Sequence, residues 1–253
     1  MLTSYPPLLA LRLTEQNLPH LAPPPGRNPA DGAEPLGAHC EGPFLNPLKN
    51  GIHPRAVLRS PDRGIADLDA CYGPANLHAP TVRMVTLAPE VGDTAPIIAE
   101  LAARGIIVAA GHSNASYDQM WDAVAAGVRM VTHLFNAIAQ PHHRTPGIFG
   151  ILGAPPDLAR PFFGIIADDI HVHPSLVRVA HYAHPAGTIL VSDAMSMLGL
   201  PDGLYPWAHG RRVIAKRGPK LTLHDSDTIA GRCVSLPLVV AAVAAGLIRR
   251  AAA

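Results

Sequence analysis

The stretch VRMVTHLFNAIAQPHHRTPG, residues 128–147, joins a short apolar run to a polar loop. The run VRMVT is mostly apolar, which is typical of a strand buried on both faces, and it ends at His133. The loop that follows carries Asn136 and Arg144. This pattern predicts a strand tip that presents a reactive side chain, and similar patterns occur elsewhere in the chain.

Short apolar runs alternate with helical patterns on both sides of this stretch. They predict strands at residues 1–13, 37–41, 82–87, 105–110, 128–132, 162–166 and 188–191, and helices at residues 95–104, 117–126, 174–184 and 236–250. Alternation of apolar strands with helices favours a parallel sheet that is covered on both faces. The chain is therefore expected to belong to the α/β class.

Polar side chains lie at the C-terminal ends of most of these strands. They are Glu41, Glu90, His112, His133, Asp168 and Asp193. In a (β/α)8 TIM barrel such strand ends converge on one mouth. A doubly wound sheet would favour a glycine-rich phosphate loop, and no GxGxxG follows a strand. We expect one barrel domain over residues 1–253, and we interpret the β-type runs 212–215 and 220–223 as a remnant of an inserted β-structure at residues 201–230.

Composition narrows the class of function. The chain has 253 residues, a net charge of +1 and no block of like charge, which argues against nucleic-acid or membrane partners and favours a small-molecule substrate. The three cysteines, Cys40, Cys71 and Cys233, lack the spacing of a disulfide framework or a thiolate zinc site. The longest apolar run, residues 236–248, is too short to span a bilayer. We expect a soluble, cytoplasmic protein.

Three of the strand ends offer one carboxylate and two imidazoles, from Glu41, His112 and His133. Two histidines and one carboxylate are a common catalytic zinc set, and they also suit other divalent first-row metals. The alternative for each residue taken singly is a hydrogen-bonded residue at the barrel rim. Their occurrence on three strands of one predicted barrel favours metal binding.

Other polar residues keep two interpretations each. Asp193 is suited to accept a proton from water and return it to a leaving amine, but it could equally cap a helix after Ala194. Arg144 is suited to bidentate phosphate binding or to a surface ion pair. His53 and His171, taken singly, are more typical of structural histidines, and Asp168 could orient His171 or cap a turn.

Several motifs together resemble one enzyme family. They are HCEGPF (39–44), KNGIHP (49–54), VTLAPE (85–90), GHSNASY (111–117), THLFNA (132–137), RTPG (144–147), IADDIHV (166–172), VSDA (191–194) and TIAG (228–231). In this order they resemble the N-acetylglucosamine-6-phosphate deacetylases of the amidohydrolase superfamily, and most closely the animal-type enzymes. The resemblance extends from residue 1 to about residue 231.

This resemblance implies a function for each matched position. Glu41, His112 and His133 would ligate a divalent metal, with zinc favoured over iron, manganese or cobalt. Asp193 would be the catalytic acid and base, and His53 would stabilise the oxyanion. The substrate contacts would come from Ile52, His53, Asn136, Ala137, Arg144, Asp168, His171, Ile229, Ala230 and Gly231. Family members release acetate from N-acetylglucosamine 6-phosphate, and as homodimers they can direct the counterpart of Arg144 to the neighbouring subunit's phosphate.

The chain also departs from the family pattern. Its first residues match the second barrel strand, so the first strand and most of the accessory β-domain are expected to be missing. Arg232 stands where a serine is usual, and Cys40 where leucine is common. We therefore expect the full set of site residues on an incomplete barrel. Two alternatives stay open: an amidohydrolase acting on a cyclic amide or a deaminated base, and a non-catalytic remnant or dimerisation partner.

Overall fold

The computed structural model describes residues 16–26, 28, 30, 34–155, 158–207, 212–226 and 229–244. Its larger sheet has six parallel strands: β1 (Ala38–Glu41), β2 (Val82–Leu87), β3 (Ile107–Ala110), β4 (Val128–Val131), β5 (Phe162–Ile165) and β6 (Thr188–Leu190). Each lies within one or two residues of its predicted bounds. The strand predicted at residues 1–13 lies outside the described residues.

The order of the strands decides between the two predicted architectures. They follow one another in the sheet as β1-β2-β3-β4-β5-β6, and every neighbouring pair is parallel. A doubly wound sheet reverses its strand order at a switch point, whereas a TIM barrel adds each strand beside the preceding one. The sheet is therefore a partial TIM barrel, as predicted, and its carboxyl ends form a single mouth.

Helices separate most of the parallel strands: α1 (Ile65–Tyr72), α2 (Ala95–Ala103), α3 (Tyr117–Ala126) and α4 (Pro174–Ala183). The start of α3 is fixed by a capping box, in which the Ser116 hydroxyl accepts from the Gln119 amide and the Gln119 side chain accepts from the Ser116 amide. Helix α1, with only eight residues between Gly64 and Gly73, was not predicted. A 3-10 helix, Gly147–Gly153, connects β4 and β5.

The main core lies between the sheet and these helices. Leu68 of α1, Leu101 of α2, and Val85 and Val108 of the sheet are all fully buried in it. The opposite faces of the strands are more polar. There the Thr86 hydroxyl lies 2.7 Å from both the His39 Nε2 and the Thr132 hydroxyl, so a hydrogen-bonded chain crosses three strands. Apolar residues thus hold the helices, while His39, Thr86 and Thr132 place polar groups on the inside of the barrel.

A second sheet is antiparallel and has the order β10-β9-β8-β7. Its strands are β7 (Gly203–Trp207), β8 (Arg212–Arg217), β9 (Lys220–Leu223) and β10 (Ile229–Arg232). Strands β8 and β9 were predicted, whereas β7 and β10 were not. The sheet has a small core of its own, built from Met197, Ile214, Leu221 and Ala230. That it is a remnant of an inserted domain stays a prediction.

After this sheet the chain returns to the barrel. Helix α5 (Leu236–Ala242) packs beside β6, and its Val239 belongs to the main core. The remainder of the helix predicted for residues 236–250 lies largely outside the described residues. Within the described part of the chain, no helix combines the length and the apolar character needed to cross a membrane.

Candidate metal centre and active site

The carboxylate of Glu41, at the end of β1, is surrounded by imidazoles. The Nε2 atoms of His112 and His133 each lie 2.9 Å from its Oε1. The same two Nε2 atoms are 3.1 Å apart. All three residues are buried. The structure thus brings together the three side chains that the sequence predicted as metal ligands, with their donor atoms directed at one small region.

The tautomer of His112 indicates which kind of ligand this region can bind. Its Nδ1 lies 2.7 Å from the carbonyl oxygen of Lys49, which can only accept, so Nδ1 carries the proton. In the neutral ring Nε2 then presents a lone pair to a carboxylate oxygen 2.9 Å away. Two acceptors at that distance repel each other unless a positive charge lies between them. The donor set therefore fits a shared cation.

The electrostatics of the cluster agree with this interpretation. Burial alone would raise the pKa of Glu41, but the adjacent imidazoles of His112 and His133 outweigh burial and hold that pKa well below its ordinary value. Burial would likewise lower the pKa of His133, but the Glu41 carboxylate raises it to about 9. Burial lowers the pKa of His112. The buried carboxylate thus favours positive charge at this point.

His53 belongs to the same cluster. Its Nε2 lies 3.7 Å from Glu41 Oε2, and its ring packs edge-on against that of His112 with the ring centroids 4.8 Å apart. Glu41, His53 and His112 offer ligand atoms within 4.8 Å of one another, so they form a second candidate triad. Because His133 lies closer to Glu41 than His53 does, we favour His133 as the third ligand. His53 is then available to contact a substrate.

The loops around the cluster are held by hydrogen bonds between the loops that follow different strands. The amide of Asn46 donates to the carbonyl of His112 at 2.9 Å.

His112 and His133 have positive φ angles, 50° and 28°, which are uncommon for residues other than glycine. Such strained backbone is kept only where the surrounding contacts enforce it, and it is frequent at functional sites.

Glu90 is the centre of one such set of contacts. Its carboxylate accepts from the Asn46 side chain at 2.9 Å, from the Ser113 hydroxyl at 2.6 Å and from the Asn114 amide at 2.5 Å. These donors belong to the loops after β1 and β3, which carry Glu41 and His112. Glu90 stands out in the sequence as a polar strand end, but no function could be assigned to it there.

Asp193, three residues after β6, faces the cluster from another strand. Its charge interacts with those of His133, Glu41 and His171. Burial raises its pKa, and the positive charge on His133 opposes this rise. No helix begins in the segment directly after Ala194, residues 195–200, and no described residue donates a hydrogen bond to the Asp193 side chain. The alternative of a helix cap is therefore wrong, and the function of Asp193 in proton transfer stays a prediction.

Asp168 and His171 form a pair at the end of β5. The Asp168 carboxylate accepts from the Nδ1 of His171 at 2.7 Å and from the backbone amides of Ile170 and His171. Burial would raise the pKa of Asp168, but these hydrogen bonds outweigh it and hold the pKa below its ordinary value. Asp168 thus orients His171 and also caps the turn that leads to it, so both of its predicted roles are seen.

The other predicted substrate residues lie on several loops. Asn136 and Ala137 lie three and four residues after His133, and the carbonyl of Ala137 accepts from the Ser113 amide at 3.0 Å. Ile52 packs against the small core of the antiparallel sheet. Arg144 is exposed and lies 2.8 Å from His143 Nε2; among the described residues it makes no contact with the metal cluster.

Ile229, Ala230 and Gly231 belong to β10. Gly231 has a φ of 123°, and a Cβ atom there would approach the Cγ of Met195 to 2.7 Å. Only glycine allows β10 to come so close to the segment that follows Asp193. The next residue, Arg232, forms an ion pair with Asp168, with Nη1 3.1 Å from Oδ2. The sequence singled out Arg232 only as a departure from the family pattern.

A sequential parallel sheet with a histidine and carboxylate cluster at its mouth defines a partial TIM barrel of the amidohydrolase type. No family model matches the chain. It is 42% identical over 213 residues to the N-acetylglucosamine-6-phosphate deacetylase of Danio rerio, covering 83% of this chain and 51% of the relative. The human enzyme of that name is 42% identical over 212 residues, covering 83% of this chain and 50% of the relative.

A solved structure extends the similarity. The N-acetyl-D-glucosamine-6-phosphate deacetylase of Mycobacterium smegmatis, in complex with N-acetyl-D-glucosamine-6-phosphate, superposes with a TM-score of 0.80 and 30% identity, covering 98% of this chain and 61% of that one. The chain belongs to the family of N-acetylglucosamine-6-phosphate deacetylases. It spans about half the length of the curated relatives it matches.

Proposed function

We propose that the chain carries the site for metal-dependent hydrolysis of the acetamide of N-acetyl-D-glucosamine 6-phosphate, which yields D-glucosamine 6-phosphate and acetate. One observation carries the proposal. The buried Glu41 carboxylate has two histidine nitrogens 2.9 Å from the same oxygen, with the lone pair of neutral His112 directed at it. Such a donor set, at the mouth of a barrel related to these deacetylases, suits Lewis-acid hydrolysis of an amide.

Glu41, His112 and His133 would hold the divalent metal. Zinc is the first candidate because imidazole and carboxylate ligands suit it, and iron, manganese and cobalt are the alternatives. Bound there, the ion would polarise the acetamide carbonyl and lower the pKa of a nearby water. His53 would donate a hydrogen bond to the oxyanion that develops on the carbonyl oxygen, since its Nε2 lies on the edge of the cluster, 3.7 Å from Glu41 Oε2.

Asp193 would move the proton. Its carboxylate accepts a proton from the attacking water and then donates it to the nitrogen of the departing amine, so that one group serves as base and acid in turn. Two observations support this assignment. No described residue donates a hydrogen bond to the carboxylate, and burial raises its pKa, which makes the protonated form easier to reach.

The sugar phosphate would lie between the metal centre and the loops beyond β4, β5 and β10. Asp168 fixes the His171 ring by its hydrogen bond to Nδ1, which leaves Nε2 to face a sugar hydroxyl. The backbone of Ile229, Ala230 and Gly231 would border the sugar. Ile52, Asn136, Ala137 and Arg144 would contribute the remaining contacts, Arg144 through its guanidinium to the phosphate.

The same proposal includes the oligomeric state of the protein and its cellular compartment. Arg144 is exposed, which suits a homodimer in which it reaches the phosphate bound by the neighbouring subunit. The three cysteines, Cys40, Cys71 and Cys233, are free thiols, which suits a reducing cytoplasm.

Acetate release from N-acetyl-D-glucosamine 6-phosphate tests the proposal. The full chain should release acetate when loaded with zinc, lose this activity after treatment with a chelator, and regain it when zinc is added. N-acetyl-D-glucosamine without phosphate should be a much poorer substrate. Zinc binding without acetate release would overturn the proposal and favour a non-catalytic partner, whereas equal rates on both sugars would favour an amidohydrolase that does not recognise phosphate.

A further inference from the structure

Arg232, the last residue of β10, connects three segments on the substrate side of the mouth. Its Nη1 lies 3.1 Å from Asp168 Oδ2 and also donates to the Asp168 backbone carbonyl. Its own carbonyl accepts from the amide of Met195 at 3.0 Å. Arg232 also forms an isolated parallel bridge with Ala194. The loop after β5, the segment that contains Asp193, and β10 therefore meet at this one residue.

The charge of Arg232 is paired with the carboxylate of Asp168. The side chain of Asp168 is only 1% exposed, and that of Arg232 is 14% exposed. A buried carboxylate without a compensating charge is strongly unfavourable. His171 shares the same carboxylate oxygen, with its Nδ1 2.7 Å from Oδ2. Arg232 therefore holds Asp168 in the position from which it orients the His171 ring.

We infer that Arg232 is a positioning residue for the substrate, which acts through Asp168 and His171 and through the backbone beside Asp193. This inference rests on the function proposed above and adds to it a residue that touches neither the metal ligands nor the reacting atoms. It implies that Arg232 governs how well the sugar is bound more than how fast the bound sugar reacts.

The geometry also predicts which substitution should be tolerated. Both polar contacts of the side chain come from Nη1, and the Nε is buried without a hydrogen-bond partner in the described part of the chain. A lysine offers a single charged donor on a flexible stem. Arg232→Lys should therefore retain most of the function, whereas Arg232→Met keeps the apolar bulk and removes the charge.

The first arm of the test compares steady-state kinetics of acetate release. Arg232→Met should raise KM for N-acetyl-D-glucosamine 6-phosphate about tenfold, the usual effect of losing one charge-assisted hydrogen bond, and change kcat less than about threefold. Arg232→Lys should return KM to within about threefold of the unmodified chain. Arg104→Met is the matched control, because Arg104 pairs with Asp69 and Glu100 on the helices of the outer layer.

The second arm does not depend on turnover. Amide hydrogen exchange of a peptide that covers residues 168–172 should be faster in Arg232→Met than in Arg232→Lys, and unchanged in Arg104→Met. A wild-type KM together with unchanged exchange in a folded Arg232→Met protein would overturn the inference, as would a lysine variant with the same KM as the methionine variant. If the unmodified chain releases no acetate, the proposed function is wrong. Hydrogen exchange then still tests whether Arg232 holds residues 168–172 in position.

Discussion

The two sides of the mouth are built differently. On the ligand side, Glu41, His112 and His133 come from strands of one continuous sheet, are buried, and contact one another within 3.1 Å. On the substrate side, Asp168 and His171 come from the barrel, while Arg232 comes from the antiparallel sheet. The ligand side is therefore formed by the parallel sheet alone. The substrate side forms only when the antiparallel sheet packs against the barrel.

On each side, one charged residue contacts several of the surrounding loops and so connects them. Glu90 accepts three hydrogen bonds on the ligand side, and Arg232 contacts Asp168 and the segment after Asp193 on the substrate side. The comparison predicts that changes on one side leave the other intact. Substitutions on the substrate side should spare metal binding, and substitutions around Glu90 should weaken it.

The largest effect is expected from Asp193→Asn. An amide cannot accept the proton of the attacking water, so acetate release should fall by about a hundredfold to ten-thousandfold. The zinc content, measured by atomic absorption after gel filtration, should stay at the level of the unmodified chain. An unchanged rate would remove Asp193 from the mechanism, and a loss of zinc would place it among the ligands.

A smaller effect is expected from Glu90→Gln. The amide group replaces one acceptor oxygen by a donor, so either Ser113 or the pair of Asn46 and Asn114 loses its partner. Loss of such an outer contact typically weakens metal affinity by about 10- to 100-fold. Competition with a chromophoric zinc chelator measures the affinity.

The matched control for this substitution is Glu100→Gln, which changes a half-exposed carboxylate on α2 that pairs with Arg104. It should leave zinc affinity unchanged. If both variants bind zinc as tightly as the unmodified chain, Glu90 does not position the ligand loops, and the two sides of the mouth do not depend on separate charged residues.

The smallest effect is expected from Ser116→Ala, a substitution that lies on neither side of the mouth. Ser116→Ala removes the hydroxyl that accepts from the Gln119 amide at the start of α3. The free energy of unfolding should decrease by about 1 kcal/mol, the usual cost of losing such a cap. Urea denaturation monitored by circular dichroism measures this change. Zinc affinity should not change, and a clear loss of affinity would show that helix stability and the metal centre are coupled.

The barrel could be predicted from the sequence because its signals are local. Strand β2 and helix α3 have their predicted bounds, since an apolar run or a Ser116 capping box needs no distant partner. The ligands could be predicted because a residue that ends a strand of a parallel barrel must face the mouth. The antiparallel sheet was harder: β7 contains Pro206, and β10 is only four residues long and depends on pairing with β9.

The contacts of Glu90 and Arg232 could not be predicted for a related reason. Ser113 and Asn46 are 23 and 44 residues from Glu90, and Asp168 is 64 residues from Arg232. No periodicity relates residues that far apart, and only the fold brings them together. The closeness of His53 to Glu41 was likewise expected from family resemblance and not from spacing.

The most direct test of the central claim is the zinc content of two variants that separate the candidate triads. His133→Asn should lose the metal, because we assign His133 as the third ligand beside Glu41 and His112. His53→Asn should keep about one zinc per chain, as a catalytic site with three protein ligands holds one ion, and lose acetate release. The reverse result, with zinc kept by the His133 variant and lost by the His53 variant, would contradict the assignment of the metal centre.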